Sequence, residues 1–231
     1  MQTSKWGSPG WSFLHCLPFC SSDQWTEIET KDWLEFFDLL QLILPCKYCR
    51  ESYRHFVKED PLGRAIADPS FKGHCRLALA RWLWALHNKV NAKLTKPQCE
   101  EFAEKCCALN QNATQWEDSF WYFILTIIWN FKEEPWRIDA YRRFFHLLPR
   151  VLETTPLGQR LTRCLSRNTL SESDLVSLAT IKQWGWKLWS NCHQSPLNFV
   201  DFQAMDAHFE GWRSKTCSTA AIPVDGKPGT C

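Results

Sequence analysis

The chain has 231 residues, 45% of them apolar, and a formal charge of +2 from 27 basic and 25 acidic side chains. That length buries one large core or two small ones, and the near balance of charge, without a long basic block, leaves no electrostatic footprint for nucleic acid or an anionic membrane. The most apolar uncharged run, Ser119 to Phe131, has 13 residues, short of the roughly 20 that a bilayer span needs, and reads as a buried helix with no membrane span in the chain.

The first residues, "MQTSKWGSPGW", lack the basic flank and apolar stretch of a signal peptide and the Arg/Ser-rich pattern of a transit sequence, so the chain is expected to be mature from its first residue. Apolar residues recur at three and four and extended β-branched alternation is almost absent, which makes the fold class all-α. Ser8 and Pro9 are the N-cap and N1 signals of a helix running through Phe19. Thr30 opens a strongly amphipathic helix to Leu44, "KDWLEFFDLLQLIL". A third helix starts at Pro45, Asp68 to Gly73 reads as a loop, and a long helix follows from His74 to Lys93. A shorter one is predicted from Gln98 to Ala108.

The third helix opens on "LPCKYC". Cys46 and Cys49 stand at i and i+3 on one face, and the helix start leaves Cys46 near unsatisfied amide groups that favour a thiolate. That is the arrangement of a reactive dithiol. Two other readings stay open: a zinc clip, which needs a second ligand pair from Cys106 with Cys107 or His74 with Cys75, and an inert pair of neighbouring thiols. Twelve cysteines are many for such a chain, so either it handles electrons or several are core residues. Cys75, Cys164 and Cys192 sit in helical patterns and read as small buried hydrophobes, and Cys16 with Cys20 as core thiols. On the long fourth helix, "RWLWALHNKVNAKL", Trp84, His87, Asn88 and Asn91 share one face. Such a face lines either a flat heteroaromatic ligand or an ordinary core.

In this order and at these separations, "WGSPGWSFLH", "LPCKYC" and "RWLWALHNKVNAKLTKP" resemble the Erv/ALR family of FAD-linked sulfhydryl oxidases, over residues 6 to 100. The resemblance implies a four- or five-helix bundle that holds FAD beside the Cys-x-x-Cys. By motif, Cys49 would be the flavin-proximal thiol and Cys46 the interchange thiol. Trp11 and His15 would border the flavin; Trp84, His87, Asn88 and Asn91 would face it, Val90 and Leu94 would add apolar wall, and Lys93 and Lys96 would lie near its phosphates. No metal is implied. The implied activity is disulfide formation in a protein dithiol substrate or a thioredoxin-like relay protein, with oxygen as electron acceptor and hydrogen peroxide as product. Two departures stand out: Trp84 occupies the position where cellular members carry a structural cysteine, although Cys99 lies near its partner's place, and Leu44 replaces a tyrosine before the Pro-Cys.

The later half has no second Cys-x-x-Cys, yet it parallels the first. "SFWYFIL" around Trp121 follows "PGWSFLH" around Trp11, "YRRFFHLLPRVL" follows "WLEFFDLLQLIL", and "QWGWKLWSN" follows "RWLWALHNK", at offsets of 110, 108 and 102 residues. Shared order with small deletions suggests duplication. Thr154 and Trp189 would then stand where Cys46 and His87 do, and the second copy would have lost the dithiol. The expected organisation is a sulfhydryl oxidase domain over residues 1–110, a second helical domain over 111–213, possibly a degenerate copy, and a polar tail over 214–231. Because members of the family dimerise through the bundle, the resemblance implies either a homodimer or an intramolecular pseudo-dimer. A compact chain of this kind resembles the virus-encoded members, which points to a cytoplasmic assembly site or virion, with the mitochondrial intermembrane space as the alternative. The rival function is a non-catalytic helical interaction scaffold that kept the fold.

Overall fold

The structure is a computed structural model that describes residues 1–99, 101–102, 116–194 and 197–213. Every regular element among them is helical. The first half contains α1 (Thr3–Cys16), α2 (Glu27–Ile43), α3 (Lys47–Glu59), the short α4 (Leu62–Ala67) and α5 (Cys75–Lys93), and the second α6 (Trp116–Trp129), α7 (Pro135–Val151), α8 (Pro156–Arg167), α9 (Leu178–Cys192) and α10 (Phe202–Glu210). None of these helices is long and apolar enough to cross a membrane. The division expected near residue 110, Cys106 and Cys107, most of the helix expected at Gln98–Ala108, and the tail with Cys217 and Cys231 lie outside the described residues.

Two helix starts differ from the sequence reading. The first helix begins at Thr3 and carries Pro9 inside it. Burial of Trp6 against Phe123, ring centroids 6.1 Å apart, holds the turns upstream of the proline, and that contact outweighs the one hydrogen bond that Pro9 cannot donate. The second helix begins not after Thr30 but after Thr26, whose hydroxyl accepts from the Glu29 N–H while the Glu29 carboxylate accepts from the Thr26 N–H. This capping box, with Glu27 and Glu29 in the positive first turn, fixes the start four residues early. The stretch read as a loop contains a 3₁₀ turn at Pro69–Phe71, preceded by α4.

Buried apolar residues of both halves form one continuous core. Within each half, α2 packs on α3 and α5 as α7 packs on α8 and α9. The correspondence extends to single atoms. Trp82 Nε1 on α5 donates to the Asp60 carbonyl at the end of α3 (2.8 Å), and Trp184 Nε1 on α9 donates to the Asn168 carbonyl at the end of α8 (3.0 Å). Phe37 meets the edge of Trp82 at 5.2 Å and 74°, and Phe145 meets Trp184 at 4.8 Å and 74°. The halves join through α1 on α6 and α2 on α7, and the contacts across that seam are reciprocal. Phe13 stacks on Trp116 as Trp6 packs on Phe123, Phe13 meets Phe120 where Gly10 lies against Phe123, and Phe36 stacks on Phe144 at 5.1 Å.

Candidate functional site

The site is built on α3. Cys46 is the N-cap of this helix, and its sulfur accepts from the Cys49 N–H at 3.3 Å. Tyr53, one turn beyond Cys49 and buried, donates its hydroxyl to the Phe37 carbonyl at 2.8 Å and so pins α3 to α2. Both thiols are half-buried. The Thr3 hydroxyl at the start of α1 lies 3.9 Å from Cys46 Sγ and 4.0 Å from Cys49 Sγ. Arg50 directs Nη1 to the Leu44 carbonyl at 2.6 Å and its charge towards both sulfurs.

The two thiols are unequal. The hydrogen bond donated by the Cys49 thiol, with smaller contributions from the Cys49 N–H and Thr3, outweighs burial and lowers the Cys46 thiol to about 6. Cys49, donor to that thiolate and itself partly desolvated, is pushed well above the ordinary thiol range. Cys46 is therefore the thiolate and Cys49 the proton holder of the reduced pair. By contrast, burial pushes Cys16 up to about 11 and Cys20 to about 12, which keeps both core thiols protonated. In the reduced protein, alkylation of Cys46 by iodoacetamide should rise with pH through a midpoint near about 6 and then level off. An ordinary thiol keeps rising through about pH 8.5, so a midpoint there, read by mass spectrometry of the modified peptide, would mean that Cys49 does not support the thiolate.

The expected ligand-facing residues fall into three groups. Trp11 and His15 on α1 meet His87 on α5: the Trp11 and His87 rings stack at 4.0 Å and 7°, and His15 Nε2 and His87 Nδ1 are 2.8 Å apart. On the same helix Trp84 turns its ring edge to Phe102, and its Nε1 is buried without a hydrogen-bond partner. Towards the end of α5, Lys93 Nζ donates to Ser52 Oγ on α3, one turn past Cys49. Val90 and Asn91 are half-buried, whereas Leu94 and Lys96 are exposed beyond the last turn, where Thr95 adopts φ +52°. Asn88 stands apart: its side-chain amide donates to the Cys99 carbonyl at 2.8 Å and accepts from the Cys99 N–H at 2.9 Å. The amide thus braces the chain leaving α5, although helical spacing alone placed it on the ligand face. Thr3 and Ser52 were missed because no local pattern marks them. A basic residue directly after the second cysteine was the available signal for Arg50. Among the described residues no group of three or more His, Cys, Asp or Glu side chains gathers as metal ligands.

Residues 8–116 match the Erv1 / Alr family model. The chain is 29% identical over 100 residues to the "Mitochondrial FAD-linked sulfhydryl oxidase ERV1" of Saccharomyces cerevisiae, covering 43% of this chain and 48% of that one. It is 29% identical over 91 residues to the "FAD-linked sulfhydryl oxidase ERV1" of rice, Oryza sativa subsp. japonica (39% and 42% covered). To the "Putative FAD-linked sulfhydryl oxidase 096R" of Invertebrate iridescent virus 3 it is 27% identical over 93 residues (40% and 58% covered). The match spans about half the length of these curated relatives. No solved structure gives a significant match.

Proposed function

We propose that this chain, whose residues 8–116 belong to the Erv1 / Alr family, is a FAD-dependent sulfhydryl oxidase that forms disulfides in protein thiols. The observation that carries the reading is the unequal Cys46/Cys49 pair at the start of α3, on the helix that also contacts α5 with its stacked Trp11–His87 rings. The residues fit FAD. The flat ring stack suits an isoalloxazine, the orphaned Trp84 Nε1 is a buried donor that lacks an acceptor, and Lys93 and Lys96 bring positive charge for phosphates. Trp11, His15, Trp84, His87 and Asn91 would hold the cofactor, with Val90 and Leu94 as apolar wall; Asn88 acts through Cys99. Bound there, FAD would take up the electron pair and pass it to oxygen, giving hydrogen peroxide.

The protein's own part is thiol exchange. A substrate thiolate attacks Cys46 Sγ of the Cys46–Cys49 disulfide, a mixed disulfide forms, and Cys49 leaves as a thiolate that takes up the proton of the second substrate thiol. The second substrate thiol, as thiolate, then attacks its partner sulfur in the mixed disulfide, closing the product disulfide and expelling Cys46. A thiol of low proton affinity leaves fastest, so the depressed Cys46 speeds this second displacement. Cys49, whose proton is tightly held, keeps the hydrogen bond that stabilises the departing thiolate.

The second half, on our reading, is a worn copy of the first that takes the place of a partner subunit. What supports this is the reciprocity of the seam, where Trp6 and Gly10 meet Phe123 and Phe13 meets Trp116 and Phe120, as the members of a two-fold interface do. The repeated Trp82 and Trp184 hydrogen bonds support it independently. The expected alignment shifts by one residue: Thr155, not Thr154, is the N-cap of α8 and accepts from the Gly158 N–H as Cys46 does from Cys49.

One preparation tests both parts. The purified protein should be yellow, release FAD on denaturation, consume oxygen with a dithiol, and scatter light with the mass of one chain, 27.1 kDa. A colourless protein that FAD does not reconstitute would leave a helical scaffold as the function. A two-chain mass would remove the substitute-subunit reading.

A further inference from the structure

The second half holds another pair of thiols. Cys192, the buried last residue of α9, lies beside the half-buried Cys164 of α8, near enough for the two thiols to interact. Cys164 Sγ also lies 3.5 Å from the carbonyl oxygen of Asn191, next to Cys192 in the chain. Arg160, one turn before Cys164, donates Nε to the Cys192 carbonyl at 3.2 Å and pairs Nη2 with Glu117 of α6 at 2.5 Å. The end of α9 is therefore anchored on α8 beside both sulfurs. Cys192 is buried as its helical spacing suggested, whereas Cys164 is only half-buried.

We infer that Cys164 and Cys192 form a disulfide that fastens α8 to α9. The helices that correspond to them in the first half, α3 and α5, are tied between Ser52 and Lys93 by a hydrogen bond. In the second half a covalent bond closes the same helix pair. The oxidant is a small-molecule disulfide. The half-exposed Cys164, as thiolate, attacks it and releases one thiolate. Cys192, losing its proton, then attacks the mixed disulfide at Cys164 and releases the second, so two thiols are formed for each disulfide consumed. The bond spans the 28 residue steps from 164 to 192, and closing a loop of that size restricts the unfolded chain appreciably.

The test uses the full chain incubated with oxidised glutathione, alkylated, digested without reduction and analysed by mass spectrometry. The expected result is a linked pair of peptides containing Cys164 and Cys192, found equally in the Cys49→Ser variant, so that failure here is separable from failure of the oxidase reading. The oxidised protein should melt roughly 5–10 °C above the reduced one, and Cys164→Ser should abolish the difference. Recovery of both residues in alkylated form, or of Cys164 carrying glutathione with Cys192 unlinked, would overturn the inference.

Discussion

Cys49→Ser should abolish dithiol-driven oxygen uptake, lowering turnover by about 10³-fold or more, while the protein keeps its yellow colour. A serine oxygen cannot close a disulfide with Cys46, so the remaining thiol has no internal partner to exchange with. The hydroxyl does, however, preserve the donor that holds Cys46 as a thiolate, because Cys46 sits at the N-cap with the residue-49 side chain and N–H both turned to its sulfur. The alkylation midpoint of Cys46 should therefore stay low in Cys49→Ser and rise towards the ordinary thiol value in Cys49→Ala. This separates the loss of a reacting sulfur from the loss of a hydrogen bond, which activity alone cannot do. Retention of more than about a tenth of the oxygen uptake in Cys49→Ser, against the loss expected for a reacting thiol, would show that electrons reach oxygen by a route that bypasses the pair.

The reverse experiment, rebuilding the dithiol in the second half, should fail for a steric reason. Thr155→Cys is expected to cost at most about 1–2 kcal/mol, since a thiol at an N-cap accepts from an N–H as Cys46 does. Gly158→Cys is different. A Cβ at Gly158 would stand 1.9 Å from the Leu152 carbonyl oxygen and 2.3 Å from its carbon. That carbonyl also receives the Thr155 hydroxyl and N–H, so backbone must move before the side chain fits. The double variant Thr155→Cys/Gly158→Cys should lose about 3 kcal/mol or more in urea unfolding and gain no second reactive pair. If it unfolded at the wild-type midpoint, the start of α8 would be free to relax and the contact with Leu152 would not be what excludes a dithiol there.

The dithiol of the candidate site is legible in the sequence. Cys46 and Cys49 are recognisable because a redox pair needs two sulfurs on one helix face, a requirement that spacing expresses directly. The resemblance marked Trp11, His15 and His87 as residues facing a cofactor, and only the structure shows that their rings stack on one another. Asn88 shows where such reading stops. Its register on α5 is that of a ligand-facing residue, but a side-chain amide binds whatever backbone approaches it, and Cys99 does. Thr3 is similar: it is 43 residues from Cys46 in sequence and 3.9 Å from its sulfur in space. The helix starts differ from Ser8 and Thr30 for related reasons: the distant contact of Trp6 carries α1 upstream of Pro9, and the Thr26–Glu29 box starts α2 one turn early.

The amino-acid sequence by itself determined the helical class, the order of the amphipathic helices and the spacing of the dithiol. All of these are periodicities or spacings set by neighbours a few residues apart. Only the tertiary structure decided that Phe36 would stack on Phe144, that α1 would lie along α6, and that Cys164 would reach the end of α9. Those pairings depend on which apolar faces bury one another across more than a hundred residues of chain or across a helix turn-around. Burial is non-directional, so an apolar stripe announces that it will be covered without naming the stripe that covers it.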